Sequence, residues 1–180
     1  MVDQQLAAQQ ATLQNGRVAT IRPLDEGDRA ALLAFGQALP QDDLLYLEDD
    51  FQSPEIIMRL INAHQAENWR QIVVETDGEI VGYSSVRRLH GWSSHVADIL
   101  LLVSPNCRRS GVGMALAHAI FNAARDLGAS KVIVEIVEEQ QAGRAIFERL
   151  GFRVEGVLSK HTRDRQGQYH NLLILSYHVG

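Results

Sequence analysis

A five-residue apolar run, Ile99 to Val103, ILLLV, lies just past the middle of the chain. It reads as a buried strand that ends at Ser104-Pro105-Asn106, because proline cannot donate to a ladder and disfavours helix before it. Beyond a loop with Arg108 and Arg109, Val112, Ala115, Leu116, Ala119, Ile120, Ala123, Ala124 and Leu127 recur at the spacing of an amphipathic helix, which Gly128 stops. Lys131 to Val137, KVIVEIV, is β-branched and apolar almost throughout, the pattern of a central strand. Strand, helix, strand over Ile99 to Val137 predicts a parallel βαβ unit.

The flanking segments predict antiparallel structure. Arg17 to Arg22 alternates as a strand closed by Pro23, and Asp25 and Asp28 open a helix with Ala30, Leu33, Ala34 and Leu39 on one side, closed by Pro40. Ser53 caps a further helix, with Pro54 at its first position, that runs to about His64. Gln71 to Glu75 and Glu79 to Arg88 are strands joined by a hairpin at Asp77-Gly78, and His90 to Ser94 turns the chain into His95 to Val103. Gln141 to Leu150 reads as a late helix with Gly151 as its C′ residue. Val154 to His161 and Tyr169 to Tyr177 then form a closing hairpin around Arg165-Gln166-Gly167. The expectation is an α+β fold, one mixed and mainly antiparallel sheet with helices on both faces, formed by residues 16 to 180. Residues 1 to 15, rich in Gln and Ala without an apolar stripe, read as a frayed helix or disordered tail with no assigned function.

The stretch Arg108-Arg109-Ser110-Gly111-Val112-Gly113 between strand and helix has the makings of an anion site. Glycines bare the backbone, first-turn amides lack intrahelical partners, and the helix dipole and arginines add positive charge. A phosphorylated cofactor is the leading ligand. A P-loop is excluded because no lysine follows Gly113. A dinucleotide fingerprint would need a third glycine where Leu116 stands, although Glu135 lies on a later strand at about the distance of a ribose-binding acid. Antiparallel strands ahead of the loop disfavour that reading too. An acyl-CoA pyrophosphate loop is the third candidate.

Leu101-x-Val103-x-Pro105 followed by Arg108-x-x-Gly111-x-Gly113 resembles the acyl-CoA-binding segment of the GNAT superfamily of N-acyltransferases. Ala145 to Phe152, AIFERLGF, followed by Val154-Glu155-Gly156, is similar to that family's late helix and next strand. The resemblance covers about Arg17 to Tyr177. It implies acetyl-CoA as co-substrate, bound along the main chain of Leu101, Leu102 and Val103 and by Arg108, Arg109, Ser110, Gly111, Val112, Gly113 and Met114, with Gln140 and Phe147 on the far side. It also implies that the Leu101 amide polarises the thioester oxygen and that an amine attacks directly. Asp98 occupies the place where many resembling enzymes keep an acid on this strand, and it is the candidate base beside a plain role at the strand edge. The resemblance leaves a homodimer open.

Two positions depart from the family pattern. Phe147 replaces a tyrosine that protonates the departing thiolate, and Gln140 replaces an asparagine. Tyr46, Tyr83 and Tyr169 are alternative donors and otherwise packing residues. His90, His95, His161 and His170 are alternative proton carriers, and their spacing matches no zinc pattern, so no metal is expected.

Composition narrows the setting. The chain has 180 residues, 46% of them hydrophobic, and a net charge of −5, which argues against nonspecific nucleic-acid binding. The lone Cys107 excludes an internal disulfide and fits a reducing compartment, and at a pyrophosphate loop it would lie far from acyl chemistry. With no run of membrane-spanning length and no basic-then-apolar N-terminus, a cytoplasmic location is expected. Asp42, Asp43, Glu48, Asp49 and Asp50 form an acidic segment, read as a solvated face or as an attractor of a cationic amine. Trp69 and Trp92 read as core or rim aromatics. The leading function is acetyl transfer to an amine of a small molecule or protein. The alternatives are an acyl-CoA-binding regulatory module without turnover and a nucleotide-binding oxidoreductase.

Overall fold

A computed structural model of the chain describes residues 8–44, 47 and 49–180. The strands are β1 (Gln9–Thr12), β2 (Val18–Pro23), β3 (Trp69–Thr76), β4 (Glu79–Arg88), β5 (Val96–Val103), β6 (Lys131–Val137), β7 (Arg153–Arg163) and β8 (Tyr169–His178). They form one sheet in the order β1-β2-β3-β4-β5-β6-β8-β7, and among the described residues only β5 and β6 pair in parallel. The fold is therefore α+β, with the single parallel βαβ unit expected, and it is not the doubly wound sheet that the oxidoreductase reading needs. The helices are α1 (Arg29–Gln37), α2 (Gln41–Leu44), α3 (Pro54–Asn62), α4 (Val112–Asp126) and α5 (Gln141–Arg149).

Two expectations are corrected. The N-terminal segment is not a tail beyond residue 8, because β1 pairs with β2 from Gln9↔Ile21 to Thr12↔Val18 and Leu13 enters the core at 5% exposure. Ala11 and Leu13 alternate at the strand period, which turns both toward the core while β1 pairs along the edge of β2. The buried side of α1 is Leu32, Phe35 and Gly36, continued by Leu39, while Ala30 and Ala34 are exposed. The larger side chains set the helix phase, since burying a leucine or phenylalanine stabilises by about 2 kcal/mol and an alanine far less.

Both faces of the sheet are covered. On one, Ile72, Val74, Val86, Ala97 and Ile99 meet Leu116, Ile120 and Ala123 of α4 and Phe147 of α5. On the other, Val73, Ile80 and Tyr83 pack with Leu32 and Phe35 of α1 and Ile57, Leu60 and Ile61 of α3. Along β5, Leu101 and Val103 join the first cluster and Leu100 and Leu102 the second. Strand alternation therefore turns Asp98 toward the α1/α3 face.

The sheet opens between β5 and β6. Their pairing runs from Val96↔Lys131 to Ile99↔Val134 and stops there. β5 continues to Val103 against β4 alone, and β6 continues to Val137 against β8 alone. The edges of Leu100–Val103 and Glu135–Val137 thus flank a gap in the middle of the sheet.

Candidate active site

The direction of each backbone group at this gap follows from its neighbours. The Ser104 amide donates to the Val81 carbonyl at 2.8 Å, and the Leu100 carbonyl accepts from the Ser84 hydroxyl at 2.5 Å, so even-numbered residues of β5 turn their amide and carbonyl toward β4. Leu101 and Val103 therefore turn theirs toward the gap. Leu102, expected to hold the arm with its main chain, is committed to β4 and offers the site only its side chain. On the opposite edge the Glu138 amide donates to Asn171 at 3.0 Å, which leaves the main chain of Glu135 and Val137 on the gap side. The Val137 amide is already taken there by Gln140 Oε1, at 3.1 Å.

The loop after β5 is tightly tied. Pro105–Cys107 forms a 3₁₀ turn, Cys107 is buried, and its carbonyl accepts from the Ser110 hydroxyl. This is a structural placement for the cysteine. The Ser110 carbonyl accepts from the Gln14 amide at 3.0 Å, so the segment after β1 braces the loop. Gly111 caps α4 with φ +92°, a left-handed conformation that costs other residues about 1 kcal/mol or more. Gly113 also sits where α4 approaches α5: a Cβ there would lie 2.9 Å from Ile146 Cδ1, the movable end of that side chain. Val112 is buried, with its amide donating to Ser110 Oγ at 3.5 Å, and Met114 is half-buried, leaving the first-turn amides of Gly113 and Met114 as the groups α4 presents. Arg108 and Arg109 are exposed beside them, Arg109 at φ +59°.

Asp98 on β5 and Glu135 on β6 turn their carboxylates to the α1/α3 side near the gap. Asp98 is half-buried, opposite Arg87 on β4 and Ile133 on β6. Arg87 in turn lies over the Trp69 ring, 5.0 Å from its centroid. Glu135 is exposed and is the first β6 residue past the last pair with β5. Val134 and Ile136 pack on the α4/α5 face, so Glu135 shares the face of Asp98 and stands about 7 Å further along, level with Leu100. The sequence signal for Glu135 was a lone acid inside an otherwise apolar strand.

The remaining candidates separate. Phe147 is 2% exposed and stacks edge-on against Phe152 at 5.3 Å. Tyr83 is fully buried, donates its hydroxyl to Gln71 Oε1 at 2.7 Å, and burial pushes its pKa well above the usual tyrosine value. Tyr169 is exposed in the β7–β8 hairpin, and Tyr46 lies outside the described residues. His90 and His95 are exposed at the far end of β5, and His161 is exposed on β7. His170 bonds Glu139 at 3.0 Å and Asp164 at 2.8 Å, which raises its pKa and lowers those of both acids. It fastens the β7–β8 turn to the connection between β6 and α5. Among the described residues no group of three or more His, Cys, Asp or Glu is arranged to hold a metal ion, and no helix is long and apolar enough to cross a membrane. Trp92 is 96% exposed, a surface residue, whereas Trp69 borders the core.

Residues 34–152 match the family model described as Acetyltransferase (GNAT) family. The chain is 30% identical over 109 residues to an N-alpha-acetyltransferase of Sulfurisphaera tokodaii, a match covering 54% of this chain and 64% of that protein. It spans less than two thirds of the length of the curated relatives it matches. Its fold is similar to that of an N-acetyltransferase from Staphylococcus aureus Mu50, with a TM-score of 0.80, 17% identity and coverage of 90% of this chain and 99% of that one. It is also similar to yncA from Salmonella typhimurium, solved with its cofactor acetyl-CoA, with a TM-score of 0.77, 20% identity and coverage of 90% and 94%.

Proposed function

This chain belongs to the acetyltransferase (GNAT) family, and on that premise we propose that it transfers the acetyl group of acetyl-CoA to a primary amine by direct attack. The observation that carries the reading is the gap between β5 and β6 beyond Ile99↔Val134, which opens beside the loop that ends at Gly111. In this reading the pyrophosphate lies at the first-turn amides of α4, with Arg108, Arg109 and the Ser110 hydroxyl around it. The pantetheine arm runs into the gap against the gap-facing main chain of Leu101 and Val103. The Leu101 amide then donates to the thioester oxygen as negative charge develops on it, a contribution commonly worth about 3 kcal/mol.

The amine approaches from the α1/α3 side. It arrives as an ammonium without a lone pair, so its proton must leave before nitrogen attacks the carbonyl carbon. Asp98 is the base of this proposal, and Glu135, nearer the Leu101 amide, holds the ammonium beside it. Collapse of the tetrahedral intermediate breaks the carbon–sulfur bond and expels the thiolate. With Phe147 in place of an acid, the thiolate leaves unassisted and takes its proton from solvent, which a thiol of pKa about 8.5 tolerates. The acceptor is a small molecule or a protein amine in the cytoplasm.

Phe147 is also what favours the second reading, a module that binds acyl-CoA without turnover. Acetyl-CoA offered with a panel of amines separates the two, because the enzyme releases free thiol in an amine-dependent way and the module binds without release.

A further inference from the structure

Arg108 is held by more than its own loop. Its Nη2 donates to the carboxylate of Asp43 in α2 and to the Val103 carbonyl, at 3.4 Å, on the gap edge of β5. The ion pair is partly withdrawn from water, with Asp43 retaining 22% and Arg108 48% of side-chain exposure. Gln41, two residues earlier, accepts from Arg165 in the turn between β7 and β8. His170 fixes that same turn through Asp164 and reaches across to Glu139 at the end of β6. α2 is therefore tied on one side to the loop leaving β5 and on the other to the hairpin beside β6.

We propose, resting on the acetyl-CoA reading above, that Asp43 competes with the cofactor's pyrophosphate for Arg108, so that cofactor binding breaks the Asp43–Arg108 pair and loosens α2 from the β5 side of the gap. Two effects oppose the pyrophosphate while the pair is intact. The carboxylate occupies Nη2, which also reaches the gap edge at the Val103 carbonyl, and its negative charge repels a second anion at short range. Only molecules with Arg108 released bind the cofactor at full strength, and the apparent affinity falls by the fraction released. The coupling is reciprocal: whatever draws α2 away from Arg108, an acceptor molecule included, tightens cofactor binding by the same factor.

The test is calorimetric titration of the full chain with coenzyme A, in wild type, Asp43→Asn, Asp42→Asn, Arg108→Gln and the Asp43→Asn/Arg108→Gln double variant. Asp43→Asn should tighten coenzyme A by about twofold to fivefold, the upper part of the range expected for a partly exposed pair. Asp42→Asn removes the same charge from the neighbouring position, whose carboxylate is not the one paired with Arg108, and should change affinity by less than about twofold. The gain should vanish in the Arg108→Gln background, as a double-mutant cycle requires. Unchanged or weakened binding in Asp43→Asn, or a gain that persists without Arg108, overturns the proposal. Failure of the wild type to bind coenzyme A overturns instead the cofactor assignment on which it rests.

Discussion

Ile99 and Val134 are the last residues at which β5 and β6 are paired, and the strands on either side of them diverge around a gap. That one register end fixes which backbone groups stand unshared by a neighbouring strand, and the loop, the acids and α2 are placed around it.

Gly111 and Gly113 should fail differently. Gly111→Asp places a side chain in open space but at φ +92°, and sets a negative charge at the helix start. It should retain the fold, lower stability by about 1 to 2 kcal/mol and abolish the thermal shift given by acetyl-CoA. Gly113→Ala should change stability by less than about 1 kcal/mol, because Ile146 Cδ1 can shift and alanine favours the helix, with weaker effects on binding. Melting curves with and without acetyl-CoA read both, and a full ligand shift in Gly111→Asp would contradict the loop assignment.

Asp98→Asn should lower kcat by about a hundredfold or more while leaving acetyl-CoA affinity nearly intact. Glu135→Gln should act mainly on KM for the amine, by about tenfold. Steady-state kinetics with one amine decide the roles, and the reverse pattern assigns the base to Glu135.

Phe147→Tyr should leave turnover within about threefold of wild type and lower stability by about 1 to 3 kcal/mol, because a hydroxyl would enter a packed contact with Phe152. A tenfold rise in turnover would show that thiolate departure limits the reaction and that the unassisted step is wrong.

The His170 clamp should show in the pH dependence of stability. Its pKa is raised by Asp164 first and Glu139 second, so the folded chain holds that proton more tightly than the unfolded one. The contribution is complete below the ordinary value of 6.5 and is lost as pH rises through the higher folded value. Glu139 and Asp164 are shifted down by the same bonds, so their contribution is present above the ordinary carboxylate values of 4.5 and 3.8 and lost as pH falls below them. His170→Gln should therefore lose most Tm relative to wild type between about pH 5 and 6.5 and least above pH 8. An equal loss across that range would make the histidine a neutral hydrogen-bonding residue.

What could be read from the sequence was carried by side chains. Pro105, Gly111, Gly113 and the helical apolar stripe announced the loop and α4, and Ser53-Pro54 announced α3, whose cap is the Ser53 hydroxyl accepting from Ile56 at 3.4 Å. What stayed hidden was carried by backbone direction and by pairing between distant segments. The gap leaves no residue signature, because Ile99 and Leu101 look alike in sequence and turn their main chains to the same side, yet only Ile99 has a β6 partner. The different fates of Leu101 and Leu102 follow from ladder alternation counted from Ser104, which composition does not encode. Gly113 looked like a bare patch of backbone until Ile146 was placed against it. Asp43 and Arg108 are sixty-five positions apart, and nothing local in either segment indicates that they meet.

Release of free thiol from acetyl-CoA by the wild-type chain, followed across a broad panel of small amines and amine-bearing peptides, tests the central claim most directly. Amine-dependent release, lost in Gly111→Asp and strongly reduced in Asp98→Asn, is the result this account predicts. Binding of acetyl-CoA without release in the presence of any amine would contradict it and leave the chain a cofactor-binding module.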